Sequence, residues 1–359
     1  MLSFFALLTV IGLLGATAQW FMYRSAFSFL QARATWLLYI APIFIFVFVN
    51  IKVNLLPLPL TRALAWASGY WFAFFYYSLF LLIIYGVFRL LLYFALLPAC
   101  YIGLVRVGLA AIVLVVAGGA WNAVHPVVRE VNITTNKLVK TPQRVVFVSD
   151  LHLGGLFGRG YAKSLVERIN AAQPDLVLIG GDIVDGSLET VDKEESYVEL
   201  QNLQAVQGVY AVYGNHDVMR QTSAAEQVLL HKVGLEFVKN RTVELPNGIV
   251  LTGLDDYSRS KMVLTEEGHD TQYKIFMEHQ PRHIPEAAAS GYDLYVAGHT
   301  HAGQFYPNRE LTKRMYLLDY GTKKFQQMTA IVSDGYGLWG VPVRVGPPPE
   351  IVVINIKSA

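Results

Sequence analysis

The pattern of apolar positions divides the chain into two regions of different character. Four long apolar runs occupy the first region, at about 2–22, 35–57, 64–88 and 104–121. Each is close to the roughly 20 residues that an α-helix needs to cross the hydrocarbon core of a bilayer. Residues 1–122 are therefore predicted to form an all-α membrane domain of about four transmembrane helices. Buried helices of a soluble protein are the alternative, which the absence of Asp and Glu from all four runs argues against.

From about residue 143 the pattern changes to short apolar segments that at first alternate with helical ones. Strands are predicted at 144–149, 175–179, 208–213, 248–254, 273–277, 293–297, 329–333 and 350–356, and helices at 162–172 and 195–206. This order is typical of an α/β domain with a mixed sheet or sheets. Residues 143–359 are predicted to form that domain, and residues 123–142 are predicted to connect it to the membrane domain.

Composition and charge support the same division. The 359 residues are 53% hydrophobic and 16% charged, whereas soluble domains average about 45–50% and 25%. Residues 1–129 contain seven Lys or Arg and no Asp or Glu, and the remainder carries 22 basic and 27 acidic residues. A single soluble domain and a disordered chain are excluded, and no basic patch that would bind nucleic acid is expected. Cys100 is the single cysteine, which excludes an intrachain disulfide.

The side of the membrane on which the C-terminal domain lies depends on the number of spans. With four spans the domain shares its side with a short loop that contains Lys52 and Arg62. The loops of the opposite side carry four arginines, Arg24, Arg33, Arg89 and Arg106. The positive-inside rule then predicts an extracytoplasmic C-terminal domain. Cleavage after Ala16-Thr17-Ala18, which is similar to a signal-peptidase site, would leave three spans and reverse that side.

Residues able to bind metal follow five of the predicted strands. The segments are Asp150-Leu-His152, Gly181-Asp182-Ile-Val-Asp185, Gly214-Asn215-His216-Asp217, Glu278-His279 and Gly298-His299-Thr-His301. Because ligands of α/β sheets bind beyond the carboxyl ends of strands, the five segments are expected to converge. Carboxylate, imidazole and amide ligands suit Mn, Fe or Zn. Each motif alone is weak evidence, but all five in this order predict one metal site.

This series of motifs resembles the calcineurin-like metallophosphoesterase family over about residues 143–357. The resemblance implies a two-sheet β-sandwich flanked by helices and a dinuclear site with a bridging hydroxide as nucleophile. It also implies these ligands: Asp150, His152 and His301 for one divalent ion, Asn215, His279 and His299 for the other, and Asp182 bridging both. His216 would contact the phosphoryl or leaving-group oxygen, and Asp185 would orient His216.

Two further segments, 298–304 and 337–344, resemble the membrane-attached, bacterial-type branch of the family. That branch includes transmembrane metallophosphoesterases and is related to UDP-diacylglucosamine pyrophosphatases. One departure is Gly186, where protein phosphatases of the family carry an arginine that grips phosphate. Arg159 or Arg220 could substitute for it, and the substrate-binding residues are otherwise unknown. Four histidines match no family ligand and are expected to be surface or structural: His125, His231, His269 and His283.

Three functions are compatible with the sequence. The first is a membrane-embedded, dinuclear-metal phosphohydrolase that cleaves a phosphodiester or pyrophosphate bond of a lipid-linked substrate, with the lipid bilayer as its partner. The second is a membrane-tethered phosphodiesterase or phosphatase that acts on soluble phosphate esters or nucleotides. The third is a non-catalytic membrane scaffold, which the complete set of expected ligands argues against.

Overall fold

The computed structural model describes residues 2–27, 30, 34–51, 56–94, 101–137, 139, 141–185, 195–219, 233–259 and 271–359. The chain divides into two compact units. We call the first the helical unit, which comprises Met1–Trp121 and Gly340–Val345. We call the second the sheet unit, which comprises Asn122–Trp339 and Gly346–Ala359. The domain boundaries expected from sequence, 1–122, 123–142 and 143–359, stay a prediction.

The helical unit contains four helices at the positions of the four apolar runs. They are α1 (Leu2–Ala26), α2 (Ala34–Ile51), α3 (Leu58–Tyr93) and α4 (Tyr101–Ala123). Among the described residues, α3 and α4 are long and apolar enough to cross a membrane, with mean hydropathies of 1.9 and 2.3. These two helices suggest membrane association, and the four-span arrangement stays a prediction. The 36 residues of α3 extend for about 54 Å at 1.5 Å per residue, which exceeds the roughly 30 Å of bilayer hydrocarbon.

Polar side chains join three of these helices. Gln19 of α1 donates from Nε2 to the carbonyl oxygen of Phe75 in α3 at 3.0 Å, and its Oε1 accepts from the hydroxyl of Tyr39 in α2 at 2.6 Å. The Tyr23 hydroxyl donates to Oγ of Ser78 at 2.6 Å. An unpaired polar group in an apolar environment costs several kcal/mol, so these bonds favour one arrangement of the helices.

The sheet unit contains two six-stranded mixed sheets and one small two-stranded sheet. Its strands are β1 (Val127–Thr135), β2 (Gln143–Val148), β3 (Leu153–Gly154), β4 (Leu176–Ile179), β5 (Val184–Asp185), β6 (Val209–Ala211), β7 (Glu236–Phe237), β8 (Arg241–Glu244), β9 (Val250–Gly253), β10 (Lys274–Met277), β11 (Leu294–Ala297), β12 (Gly321–Phe325), β13 (Met328–Val332) and β14 (Glu350–Ser358). The first sheet has the order β1-β14-β2-β4-β6-β7, the second β12-β13-β11-β10-β9-β8, and β3 pairs with β5. Strands β2, β4 and β6 are parallel to one another, as are β9, β10 and β11.

Short helices complete the sheet unit. They are α5 (Arg159–Ala171), α6 (Asn215–Met219), α7 (Ile284–Ala289) and α8 (Arg309–Met315), with 3₁₀ helices at Ser196–Asn202 and His301–Gly303. The helix expected at 195–206 is thus a shorter 3₁₀ helix.

The two main sheets share one hydrophobic core. Phe147 of the first sheet and Ile275 of the second belong to the same buried cluster. The neighbouring Val146 faces the other way, because side chains alternate along a strand, and it packs with Leu165 of α5. On the far side of the second sheet, Ile284 of α7 belongs to another cluster. Both outer faces are therefore covered by helices, and the carboxyl ends of the parallel strands are left for the loops.

Residues 127–135 differ from the sequence prediction, which placed them in a connector. They form β1, an edge strand that pairs in parallel with β14 along its whole length. Most of its side chains are exposed or half-buried, so the segment lacks the apolar pattern of an interior strand. Strands β3, β5, β7, β8 and β12 were likewise not predicted, and each of them is short or lies at the edge of a sheet.

Candidate metal centre

The predicted ligands lie in loops that follow parallel strands of both main sheets. Asp150, Asp182 and Asn215 come after β2, β4 and β6 of the first sheet. His279 and His299 come after β10 and β11 of the second sheet. Since the carboxyl ends of neighbouring parallel strands lie at the same edge, the topology brings these loops to one place, as predicted.

Five of the ligands have a backbone conformation that is rare for residues other than glycine. Their φ angles are 54° at Asp150, 46° at His152, 50° at Asp182, 73° at His299 and 47° at His301. Such a left-handed conformation costs about 1–3 kcal/mol per residue and persists only where the surroundings hold it. The His299 amide donates to Oδ2 of Asp150 at 2.9 Å, and the His152 amide donates to the carbonyl oxygen of Asp182 at 3.0 Å. Hydrogen bonds between neighbouring loops thus stabilise their strained backbone conformations.

The first group of ligands consists of Asp150, His152 and His301, all of them buried. The Nε2 atoms of the two histidines are 3.1 Å apart. Nε2 of His301 is 3.4 Å from Oδ1 of Asp150, and Nε2 of His152 is 4.0 Å from the same oxygen. Two ring nitrogens and one carboxylate oxygen therefore converge on a single point.

The second group consists of Asp182, Asn215, His279 and His299. Nε2 of His279 lies 3.2 Å from Oδ2 of Asp182, 3.1 Å from Oδ1 of Asn215 and 3.2 Å from Nδ1 of His299. The same Oδ2 of Asp182 is 3.9 Å from Nε2 of His152, a residue of the first group. Asp182 therefore lies between the two groups, where a bridging ligand is needed.

His216 and Asp185 form a pair beside both groups. Nδ1 of His216 is 3.0 Å from Oδ1 of Asp185, and the His216 amide donates to Oδ1 of Asp182 at 2.8 Å. The ring of His216 meets the ring of His152 edge to face at 4.9 Å between centroids. The structure thus brings all nine sequence-predicted site residues together.

The charges of the site shift several pKa values. Burial opposes a charge on His279, but the Asp182 carboxylate outweighs it and raises the pKa of His279 to about 10. The charges of His279 and His152 overcome the effect of burial and lower the pKa of Asp182. Burial and the neighbouring charge of His279 lower the pKa of His299 to about 3. Burial also lowers the pKa of His152. Without a cation, His279 therefore holds a proton at neutral pH, whereas the environments of His152 and His299 favour their neutral forms.

These residues fit divalent metal ions. The ligand atoms of Asp150, His152 and His301 all lie within 4.8 Å of one another, and so do those of Asp182, His279 and His299. Nδ1 of His279 lies 2.8 Å from the carbonyl oxygen of Gly180 and donates to it, which directs Nε2 toward the other ligands, where a metal ion would replace the Nε2 proton.

An imidazole whose other ring nitrogen is hydrogen-bonded in this way is the usual arrangement in metal sites, where the nitrogen that binds the metal carries no proton. Carboxylate, imidazole and amide ligands without a thiolate suit Mn, Fe or Zn.

Asp217 has a role that sequence reasoning missed. Its buried carboxylate accepts hydrogen bonds from the amides of Ile183, Val184 and Gly214 at 3.0, 3.1 and 2.8 Å. It therefore ties the loop that carries Asp182 to the loop that carries Asn215. A carboxylate three residues after the glycine of a Gly-Asn-His-Asp turn is a signal that could have found it.

The remaining candidates have other contacts or lie outside the described residues. Nε of Arg159 is 2.5 Å from Oε1 of Glu199, so that guanidinium is already paired. His283 is bonded through Nδ1 to Oε2 of Glu278 at 2.7 Å, and His125 is exposed. Four positions lie outside the described residues: Gly186, Arg220, His231 and His269.

Comparisons with known proteins identify a matching family and several relatives. The family model of calcineurin-like phosphoesterases matches residues 143–303. An uncharacterized metallophosphoesterase of Aquifex aeolicus is 31% identical over 243 residues, which are 64% of this chain and 92% of that protein. One from Helicobacter pylori strain 26695 is 33% identical over 244 residues, 65% of this chain and 64% of that protein. A transmembrane protein with metallophosphoesterase domain from Danio rerio is 31% identical over 269 residues, 69% of this chain and 61% of that protein.

The fold and the two groups of ligands define a dinuclear type of metal site on two mixed sheets. The chain belongs to the calcineurin-like phosphoesterase family, which confirms the resemblance noted in the sequence. The chain spans slightly less than two thirds of the length of the Helicobacter pylori relative.

Proposed function

We propose that the protein is a membrane-embedded metallophosphoesterase that uses two divalent metal ions to cleave a phosphodiester or pyrophosphate bond of a lipid-linked substrate. The observation that carries the proposal is the position of Asp182. Its Oδ2 lies 3.2 Å from His279 of one ligand group and 3.9 Å from His152 of the other. A shared carboxylate between two ligand groups is the arrangement that holds two ions side by side.

The metal-binding residues would divide as the family resemblance implies. Asp150, His152 and His301 would hold one ion, and Asn215, His279 and His299 the other, with Asp182 shared. When bound, two such ions acidify water and neutralise the charge of a phosphoryl group. Five of the seven ligands are buried, and the lower effective dielectric around buried groups strengthens these electrostatic effects.

His216 and Asp185 would handle the proton of the leaving group. Nδ1 of His216 donates to Asp185, which leaves Nε2 free to face a substrate oxygen. In hydrolysis the oxygen of water bonds to phosphorus, the bond from phosphorus to the leaving oxygen breaks, and Nε2 of protonated His216 gives its proton to that oxygen. The attacking water loses one proton to solvent, and His216 takes up one proton from solvent before the next cycle. General acid catalysis of this kind contributes about 10²–10⁴-fold to rate.

The lipid-linked substrate is proposed because of the helical unit. Helices α3 and α4 are long and apolar enough to cross a bilayer, and the Danio rerio relative is described as a transmembrane protein. Membrane helices on the same chain would keep the enzyme at the membrane, where lipid-linked substrates are confined. The sheet unit is proposed to lie on the extracytoplasmic side. Protease treatment of intact cells that express a C-terminally tagged chain should remove the tag, and a protected tag would contradict that side.

The test compares the wild-type chain with Asp182→Asn. Both are purified at full length in detergent, supplied with Mn²⁺ and incubated with total membrane lipid, and the phosphorus species are followed by ³¹P NMR. A diester or pyrophosphate signal lost only with the wild-type chain supports the proposal. The control is the bound metal, measured by mass spectrometry, because Asp182→Asn should lose metal while its circular dichroism stays unchanged. Cleavage of soluble diesters without cleavage of any lipid would contradict the lipid part.

A membrane-tethered enzyme with soluble substrates is the second candidate. It is favoured by the Aquifex aeolicus relative, because the matched part makes up 92% of that protein. If the second candidate is correct, wild-type chain should hydrolyse bis(4-nitrophenyl) phosphate and nucleotides equally well in detergent and in liposomes. A requirement for substrate in the same bilayer would exclude it.

A further inference from the structure

The turn that follows β10 is held rigidly by a buried carboxylate. Glu278 is 3% exposed, and its Oε1 accepts hydrogen bonds from the amides of Arg282 and His283 at 2.9 and 2.8 Å. The Oε2 atom of Glu278 lies 2.7 Å from Nδ1 of His283. The Oε1 atom also accepts a hydrogen bond from the Tyr295 hydroxyl. This turn carries the ligand His279 at one end and Arg282 at the other, so Arg282 has a fixed position relative to the metal centre.

The Arg282 side chain is exposed between two tyrosines. Its guanidinium carbon lies 4.2 Å from the ring centroid of Tyr257 and 5.8 Å from that of Tyr316. Its Nε donates to Oε1 of Gln280 at 2.8 Å. Stacking on aromatic faces holds a guanidinium in one plane while its edge remains available for hydrogen bonds. Because Nε is bonded to Gln280, the two terminal Nη groups are the donors that would bind a phosphate in a bidentate manner.

Arg282 lies beside the metal centre. The ring of Tyr316, against which it stands, meets the ring of His299 edge to face at 6.0 Å between centroids. The ring of Tyr316 thus contacts both the Arg282 guanidinium and the predicted metal ligand His299.

No protein carboxylate neutralises this arginine in the part of the chain that the structure describes. Three other arginines of the sheet unit are paired with carboxylates: Arg129 with Glu350, Arg159 with Glu199 and Arg309 with Asp319. Within the described ranges, no Asp or Glu oxygen lies within 4.0 Å of the Arg282 guanidinium. A preorganised, exposed cation beside a phosphoester site is complementary to an anion supplied by the substrate.

We propose that Arg282, held by Tyr257 and Tyr316, forms an anion-binding subsite for a second phosphoryl group adjacent to the one that is attacked. This inference rests on the proposed function and specifies its substrate class as pyrophosphate diesters rather than simple phosphodiesters. Hydrolysis adds one water across the P–O–P bridge: the water oxygen bonds to one phosphorus, the bridge bond to that phosphorus breaks, and the second phosphoryl group leaves while bound by Arg282. Arg282 is a specificity residue, since it binds the leaving part of the substrate.

The test uses two matched substrates and the full-length chain in detergent with Mn²⁺. P¹,P²-bis(4-nitrophenyl) pyrophosphate carries the second phosphoryl group, and bis(4-nitrophenyl) phosphate lacks it. The quantity measured is the preference for the pyrophosphate, defined as its kcat/KM divided by that of the phosphodiester. Arg282→Gln should lower this preference by about tenfold or more, mainly through a higher KM for the pyrophosphate, because a charge-assisted bidentate contact is lost. Arg282→Lys should retain part of the preference for the pyrophosphate. Arg314→Gln, which removes an exposed charge from α8, is the control and should leave the ratio unchanged.

A binding measurement separates this inference from the proposed function. Isothermal titration with methylenediphosphonate and with methylphosphonate should show that Arg282→Gln weakens the first ligand about tenfold more than the second. An unchanged ratio of kcat/KM and unchanged relative affinities would overturn the subsite and leave the proposed function standing. Wild-type chain that hydrolyses neither substrate would contradict the proposed function, and the relative affinities would then decide the subsite alone.

Discussion

The imidazole of His216 and the carboxylate of Asp185 face each other with Nδ1 and Oδ1 3.0 Å apart. Burial of His216 disfavours its charge, but the bond to Asp185 and the charges of Asp182 and Asp185 outweigh burial and raise the pKa of His216. The protonated form, which can give a proton to a leaving group, is therefore present up to a higher pH than in an ordinary histidine.

The first prediction concerns the pH dependence of hydrolysis. Asp185→Asn removes the charge that raises the pKa of His216, so the loss of kcat/KM at high pH should begin at a lower pH than in the wild-type chain. Activity at the optimum should fall by about 10–100-fold, as when an orienting carboxylate is removed from a histidine. The measurement is the pH profile with bis(4-nitrophenyl) phosphate. Glu236→Gln, at an exposed pair with Arg241, is the control, and a profile of Asp185→Asn that matched it would contradict the role of Asp185.

The second prediction concerns proton release by metal binding. The pKa of His279 is raised to about 10 by Asp182, so the metal-free site carries this proton at pH 8. A cation must displace it, and the apparent affinity for Mn²⁺ should rise with pH over the range below about 10. Titration calorimetry in buffers with different ionisation enthalpies should detect the released proton. His279→Asn should release fewer protons than the wild-type chain; equal release would mean that His279 is not the source.

The third prediction concerns the close approach of Gly214 to a ligand. A Cβ at this position would lie 2.1 Å from Oδ1 and 2.4 Å from the backbone nitrogen of Asp182. Gly214→Ala should therefore displace Asp182 and weaken Mn²⁺ binding by at least about tenfold, the usual result when a ligand loses its position. The matched control is Gly160→Ala in α5, where a Cβ meets nothing within 4 Å. Metal content and circular dichroism of both variants test this, and full metal retention in Gly214→Ala would refute it.

The fourth prediction concerns the ion pair that attaches β1 to the first sheet. Arg129 meets Glu350 through two bonds, Nε to Oε2 at 2.7 Å and Nη2 to Oε1 at 2.8 Å, and Glu350 is fully buried. Glu350→Gln removes the negative charge that neutralises the half-buried Arg129 guanidinium and should lower the free energy of unfolding by about 2–4 kcal/mol.

Urea denaturation of the full-length chain, followed through the sheet unit, measures this change. Glu310→Gln breaks an exposed pair with Lys313 of α8 and should have no measurable effect, because solvent screens such pairs. Equal midpoints for Glu350→Gln and the wild-type chain would contradict a stabilising role for the buried pair.

Local patterns in the sequence predict much of this protein. Continuous apolar runs predict the four helices, since a helix that is surrounded by lipid or by apolar side chains needs apolar residues on every face. Eight strands were predicted close to their positions because each is buried and apolar. The ligand types and their order also follow from the sequence, since carboxylate, imidazole and amide groups have chemistry that does not depend on their partners.

The tertiary structure decided the features that depend on residues far apart in the chain. Strand β1 exists because it pairs with β14 more than 200 residues away, and its own residues carry no pattern of burial. The bridging position of Asp182 requires the loops of His152 and His279 to meet, which follows from sheet topology and not from spacing. Arg282 becomes a candidate subsite only when Tyr257 and Tyr316 lie on either side of it. The physical reason is that periodicity and residue chemistry act within a few residues, whereas strand pairing and loop convergence are chosen by the packing of the whole core.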